Sequence, residues 1–175
     1  NNLASLYISD DLLRRPAVVR RAVLAHEATH LLAFARKSMR AGAVVDEPDW
    51  LDEGLATAGP DLVGAGVGSG YPHTAEDVAD FEAAPEAEGL TDWFTGKPGV
   101  SYGRAWLLMR YARDRYGDAI LHDLVATPRL GMDAWADALA PRGTTFQAFA
   151  GDWVRAIATA ATPGAAPHAA AEPWR

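Results

Sequence analysis

The chain has 175 residues, which is long enough for one domain with its own hydrophobic core. Its formal net charge of −7, without any dense Lys/Arg cluster, argues against a nucleic-acid-binding surface. The absence of cysteine excludes disulfides, thiol catalysis and thiolate metal sites, and no apolar run approaches the roughly 18 residues of a membrane span.

The first two predicted elements are a short strand and a long helix. Residues 3–8 form a largely apolar run before the turn signal Ser9-Asp10-Asp11, which predicts a strand. The helix should run from near Pro16 to about Arg40, because proline favours a helix start and Gly42 a helix end.

This helix carries the sequence His26-Glu27-Ala28-Thr29-His30. Helical residues four apart differ by about 40° in azimuth and one turn in height, so His26 and His30 can bind one metal ion. Glu27 lies about 100° round from His26, beside the metal but not bound to it, where a general base for water is needed. This is the HExxH motif of zinc peptidases.

An accidental motif would leave both histidines partly exposed on the helix surface. The apolar stripe instead includes them, since it recurs at three- and four-residue steps through Val19, Val23, His26, His30 and Ala33. Imidazoles that face inward without a partner are costly, and a metal would remove that cost.

Catalytic zinc usually takes three protein ligands, so a third is needed. Glu53 is a candidate on a second helix, and Asp52 is a rival. Without a metal, Glu53 would be a solvated acid near a helix N-terminus. Thr57, one turn further on, is predicted to orient Glu53 as a hydrogen-bond donor.

The next stretch is expected to be less regular. Gly59-Pro60 should end or kink the second helix, and a flexible glycine-rich loop should span residues 64–70. His73 is expected to be a surface loop histidine, and the alternative is a site residue or a ligand of another metal. A further helix should begin near Thr74 and end before Pro85.

The helix that follows Ser101 places Tyr102 on its inward stripe. Tyr102 is either a core residue or a donor to the oxyanion of peptide hydrolysis, and Arg104 should be a surface residue. Further short helices should follow, the last over Phe146–Ala161. The Ala/Pro-rich tail, residues 162–175, is expected to be disordered.

The segments HEATH and WLDEGLA (residues 50–56) together resemble the gluzincin zinc metallopeptidases, especially hyicolysin-type and aminopeptidase N-like members. The resemblance implies Zn²⁺ bound by His26, His30 and Glu53, with Asp52 as a neighbour. Residues 101–117 resemble the gluzincin segment with a transition-state tyrosine, which implies that role for Tyr102.

The resemblance implies a fold that is mainly α with a short β remnant (α+β), the helical part of a zincin-like catalytic domain over residues 1–161. A whole gluzincin has more strands upstream, so the chain is expected to be a piece of a longer protein. The predicted strand would either pair with an extended substrate or serve packing only.

The expected function is hydrolysis of peptide bonds in a peptide or protein substrate, by a metal-activated water with Glu27 as general base. The alternative is a catalytically inactive zinc-binding or protein-interaction module derived from such a peptidase. No GxMEN motif precedes His26, so nothing separates aminopeptidase from endopeptidase. Only the family resemblance hints at secretion or the cell envelope.

Overall fold

A computed structural model describes residues 5–160, which form eight α-helices, one 3₁₀-helix and no strand. The predicted tail lies outside these residues, and so do the first residues of the predicted strand. The helices are α1 (Asp10–Arg14), α2 (Ala17–Ala41), α3 (Asp49–Leu62), α4 (His73–Ala83), α5 (Pro98–Tyr116), α6 (Ala119–Ala126), α7 (Gly131–Leu139) and α8 (Phe146–Ala160), with the 3₁₀ turn Ala140–Arg142 after α7.

The predicted N-terminal strand does not form over residues 5–8. These residues have no regular structure, and Tyr7 is 96% exposed. An isolated extended run has no neighbouring strand to pair its N–H and C=O groups, so it gains no sheet hydrogen bonds. The prediction of a β remnant is therefore wrong for the described residues, and the mainly helical fold is confirmed.

Helix α2 has nearly the predicted bounds. Gly42 ends it in the left-handed conformation (φ 67°), which glycine adopts without steric cost. Helix α3 passes through Pro60 to Leu62, so Gly59-Pro60 does not end it, and the predicted alternative, a kink at this position, stays a prediction. Proline in the last turn of a helix removes only one backbone hydrogen bond, and Pro60 is buried here.

A glycine contact joins α2 to α3. A Cβ atom on Gly59 would lie 2.5 Å from Thr29 Oγ1 and 2.8 Å from the carbonyl oxygen of Ala25. Only a residue without a side chain allows this separation. The HEATH segment of α2 therefore lies directly against the C-terminal half of α3.

Helix α5 is the centre of the fold, with α3 and α4 packed against it. Its buried side chains Trp106 and Met109 belong to the main hydrophobic core. A second glycine contact joins it to α4, since a Cβ atom on Gly103 would lie 2.1 Å from the carbonyl oxygen of Asp77. This contact fixes the position of α4 beside Tyr102.

Arg104 is buried, so the prediction that it is a surface residue is wrong. Its Nη1 donates to Glu88 Oε2 at 3.0 Å, and Ser101 Oγ donates to the same oxygen at 2.5 Å. Burial raises the pKa of the Glu88 carboxyl, but the hydrogen bonds from Ser101 and Gly96 and the charge of Arg104 outweigh it and lower the pKa. Arg104 thus neutralises a buried carboxylate that no local sequence pattern placed there.

The C-terminal helices complete the core and attach to α2. Trp135 of α7 stacks on Phe149 of α8 with ring centroids 5.0 Å apart. Lys37 of α2 is buried, pairs with Glu47 and donates to the carbonyl oxygen of Arg129 at 2.8 Å. The C-terminal part of α2 is therefore attached both to Glu47, just before α3, and to Arg129, just before α7.

Candidate metal centre

Two adjacent helices bring together three side chains of the types that can bind a metal ion. His26 and His30 project from α2, and Glu53 projects from α3. The Nε2 atoms of the two histidines are 3.1 Å apart, and Glu53 Oε2 lies 3.3 Å from His26 Nε2 and 3.6 Å from His30 Nε2. Within residues 5–160, these three form the only His/Cys/Asp/Glu group spaced to hold a metal ion.

The dimensions of this triangle suit a zinc ion. Donors that share a tetrahedral zinc at about 2.0–2.2 Å lie about 3.3–3.6 Å from one another. Glu53 Oε2 is also fully buried and accepts no well-formed hydrogen bond from the described residues. A buried carboxylate oxygen without a donor is costly, and a cation at the centre of the triangle would satisfy it. The residues present therefore fit zinc.

Asp52, the rival ligand, contacts His30 on the side away from the triangle. The Nδ1 atom of His30 donates to Asp52 Oδ2 at 2.8 Å, because an ionised carboxylate can only accept. When the imidazole is neutral, this hydrogen bond leaves Nε2 with its lone pair directed into the triangle. Asp52 is thus a neighbour of the triangle that orients the His30 ring.

The charges in and beside the triangle shift the pKa values of His30 and Glu53. Burial lowers the pKa of His30, but the hydrogen bond to Asp52 and the negative charges of Asp52 and Glu53 outweigh it and raise the pKa to about 10. Burial raises the pKa of Glu53, but the nearby imidazoles of His26 and His30 outweigh it and lower the pKa to about 2. The protein without metal therefore places a cationic imidazole beside an anionic carboxylate.

The structure places two further predicted residues, Glu27 and Thr57, outside the triangle. Glu27 is exposed and lies outside the triangle, on the wall of an open cleft of about 400 Å³ that His26 also lines. Thr57 does not orient Glu53, because its Oγ1 donates to the backbone carbonyl of Gly54 at 2.9 Å. A threonine in a helix readily forms this local bond, so the prediction for Thr57 is wrong.

Tyr102 of α5 lines the same cleft. Burial raises the pKa of its phenol, and the negative charges of Glu53, Asp77 and Glu27 raise it further, to about 12. The phenol is therefore protonated at neutral pH and available as a hydrogen-bond donor. The structure thus brings Tyr102, Glu27 and His26 to one cleft, from two helices.

The loop between α4 and α5 holds Tyr102 in place, and sequence reasoning missed it. The rings of Trp93 and Phe94 lie 5.1 Å and 5.6 Å from the Tyr102 ring. Phe94 adopts a left-handed backbone (φ 53°), rare for a bulky residue, and its N–H donates to Ser101 Oγ at 3.1 Å. Glu88 completes the anchor by accepting the Gly96 N–H at 3.0 Å. The run Trp93-Phe94 was the available signal, but nothing local linked it to Tyr102.

The two other histidines of residues 5–160 lie apart from the triangle. His73 is exposed, as predicted, but it begins α4 and lines the cleft rather than lying in a loop. His122 is exposed, with its Nε2 3.3 Å from Arg36 Nη2. Neither belongs to the candidate metal group.

Comparison with known proteins gives no match to any family model, curated protein or solved structure. The gluzincin resemblance accordingly depends on the sequence motifs quoted above. None of the described helices is long and apolar enough to cross a lipid bilayer.

Proposed function

We propose that the chain is a zinc-dependent peptidase in which Glu27 is the general base. The observation that carries this proposal is the donor triangle of His26, His30 and Glu53, with edges of 3.1–3.6 Å, at a cleft lined by Glu27 and Tyr102. Two imidazoles and one carboxylate are a common ligand set of catalytic zinc.

The number of ligands favours a catalytic over a structural metal. Structural zinc sites are usually closed by four protein ligands, whereas catalytic sites keep one position for water or substrate. The group contains three protein residues, and one of them, His26, also lines the open cleft. A fourth position therefore remains for a small molecule.

When bound, zinc would supply a Lewis acid that polarises the scissile carbonyl and acidifies a water. The carboxylate of Glu27 accepts the proton that this water loses and delivers it to the leaving amine. The Tyr102 phenol donates a hydrogen bond to the oxygen that becomes negative during attack. Asp52 keeps His30 in the tautomer whose Nε2 is free to bind, and Trp93 and Phe94 fix the position of the tyrosine ring.

The second candidate is an inactive zinc-binding or protein-interaction module. The observation that favours it is the absence of a strand from residues 5–160. An extended substrate backbone binds well to an exposed strand edge, and the described residues offer none. This module would keep the donor triangle but turn over no peptide.

The test measures zinc and hydrolysis together. The purified chain is analysed for bound zinc by mass spectrometry and incubated with casein and a quenched fluorescent peptide library. Glu27→Gln should keep stoichiometric zinc and lose hydrolysis. Glu82→Gln, at an exposed position of α4 outside the cleft, is the matched control and should retain activity. Stoichiometric zinc in wild type without hydrolysis of any peptide would instead support the inactive module.

A further inference from the structure

Asp77 is an acidic residue of the cleft that the proposed mechanism does not use. It projects from the middle of α4 and lines the same cleft as Glu27 and Tyr102. Its side chain is half-buried, yet no described residue donates a hydrogen bond to it or forms an ion pair with it within 4.0 Å. A carboxylate in a cleft without a hydrogen-bond or ion-pair partner is an available binding group.

The neighbouring acids of α4 differ from Asp77 in having partners. Asp80 pairs with Lys97 at 2.6 Å, and Glu76 lies 3.7 Å from His73 Nδ1. Neither Asp80 nor Glu76 lines the cleft. Asp77 is therefore the acid of this helix that faces the cleft.

The surroundings of Asp77 would favour a cation beside it. Burial, together with the charges of Asp80 and Glu76, outweighs the opposing charges of His73 and Lys97 and raises the pKa of its carboxyl to about 6. The phenols of Tyr71 and Tyr102 lie near enough for the charge of Asp77 to raise their pKa values too. At neutral pH the carboxylate is thus ionised but poorly compensated.

The cleft also offers aromatic surface and a rigid backbone. Tyr71 is half-buried on the cleft wall, with its ring 5.2 Å from that of His73. Aromatic faces, like carboxylates, attract ammonium and guanidinium groups. The backbone of Asp77 packs directly on Gly103, the residue after Tyr102, so this helix contact fixes the backbone of Asp77 beside Tyr102.

We propose that Asp77 is a specificity-determining residue that selects peptides with a positive charge, either a free α-amino group or a Lys or Arg side chain, near the bond to be cut. This inference depends on the proposed peptidase function for its catalytic consequence, but charge selection by the cleft can be measured without hydrolysis.

The experiment uses matched peptides that differ in one charge. The first pair has a free or an acetylated N-terminus on the same neutral sequence. The second set is a series of acetylated pairs, in which one position at a time carries either Lys or its neutral analogue norleucine. Binding to zinc-free wild type and Asp77→Asn is measured by calorimetry, and kcat/KM by fluorescence. Glu76→Gln, one residue earlier and outside the cleft, is the control.

In wild type, the charged member of at least one pair should bind and react about 10- to 100-fold better than its neutral partner. Asp77→Asn should abolish that preference and leave the affinity and kcat/KM of the neutral peptides within about threefold of the wild-type values. Glu76→Gln should keep the preference. The pair that responds identifies the amine or the side chain as the source of charge.

Equal losses for charged and neutral peptides, or no preference in wild type, would overturn the inference. If charge-dependent binding is present but no peptide is hydrolysed, Asp77 retains its role in recognition and only the peptidase proposal fails. If hydrolysis is present without charge preference, the inference about Asp77 alone fails.

Discussion

His30 Nδ1 donates to Asp52 Oδ2 at 2.8 Å, and this bond directs Nε2 of the same ring toward His26 and Glu53. Removal of such a carboxylate partner typically lowers metal affinity about 10- to 100-fold. We expect this loss for Asp52→Asn, measured by competition with a chromophoric zinc chelator. Asp49→Asn, three residues earlier on α3 and exposed, is the control and should bind zinc like wild type. Unchanged affinity in Asp52→Asn would mean that Asp52 does not act on the ligand.

Tyr102→Phe tests the proposed donor without disturbing its ring contacts. Phenylalanine keeps the packing against Trp93 and Phe94 but lacks the hydroxyl. Loss of one oxyanion donor costs about 10²- to 10³-fold in kcat, with little change in KM. Tyr111→Phe on the same helix removes a hydroxyl that accepts from Arg115 instead, and should leave steady-state kinetics unchanged. A Tyr102→Phe effect confined to KM would refute the proposed role.

Glu88→Gln tests the buried ion pair with Arg104. One uncharged partner leaves a buried guanidinium unpaired, which costs about 3–5 kcal/mol of unfolding free energy. The folded pKa of Glu88 is lowered, so its stabilisation is present above the unfolded pKa of about 4.3 and is lost as pH falls through the folded value. Urea titrations at pH 7 and pH 3 should show that the difference in unfolding free energy between wild type and Glu88→Gln is smaller at the lower pH. A difference that stays constant between these pH values would contradict the assigned pKa shift.

Gly59→Ala tests the close contact between α2 and α3. The new methyl group would meet Thr29 and the Ala25 backbone, so overpacking should cost about 1–3 kcal/mol and weaken zinc binding by separating the ligand helices. Gly151→Ala in α8 meets only the end of Arg155, at 3.7 Å, and alanine favours helices by about 0.5–1 kcal/mol. The thermal unfolding temperature should therefore fall in Gly59→Ala and rise in Gly151→Ala. A stabilised Gly59→Ala would show that the helices separate without cost.

Local sequence predicted those parts of the molecule that depend on short spacings. The four-residue step from His26 to His30 fixes their common face on α2, and WLDEGLA marked Glu53 on a second helix. The carboxylates of Asp77 and Glu88 had no such signal, because their positions follow from contacts between distant helices. The N-terminal run failed as a strand because strand formation depends on a neighbour, which its own residues cannot specify.

The candidate site draws its side chains from three separate helices, α2, α3 and α5, which meet only through tertiary packing. No single segment of this chain can reproduce it, since the two histidines of α2 alone supply an incomplete ligand set. Its integrity is consequently a sensitive reporter of folding cooperativity. In partly denatured protein that keeps its helices but loosens their contacts, metal retention should disappear while the far-ultraviolet circular dichroism signal persists.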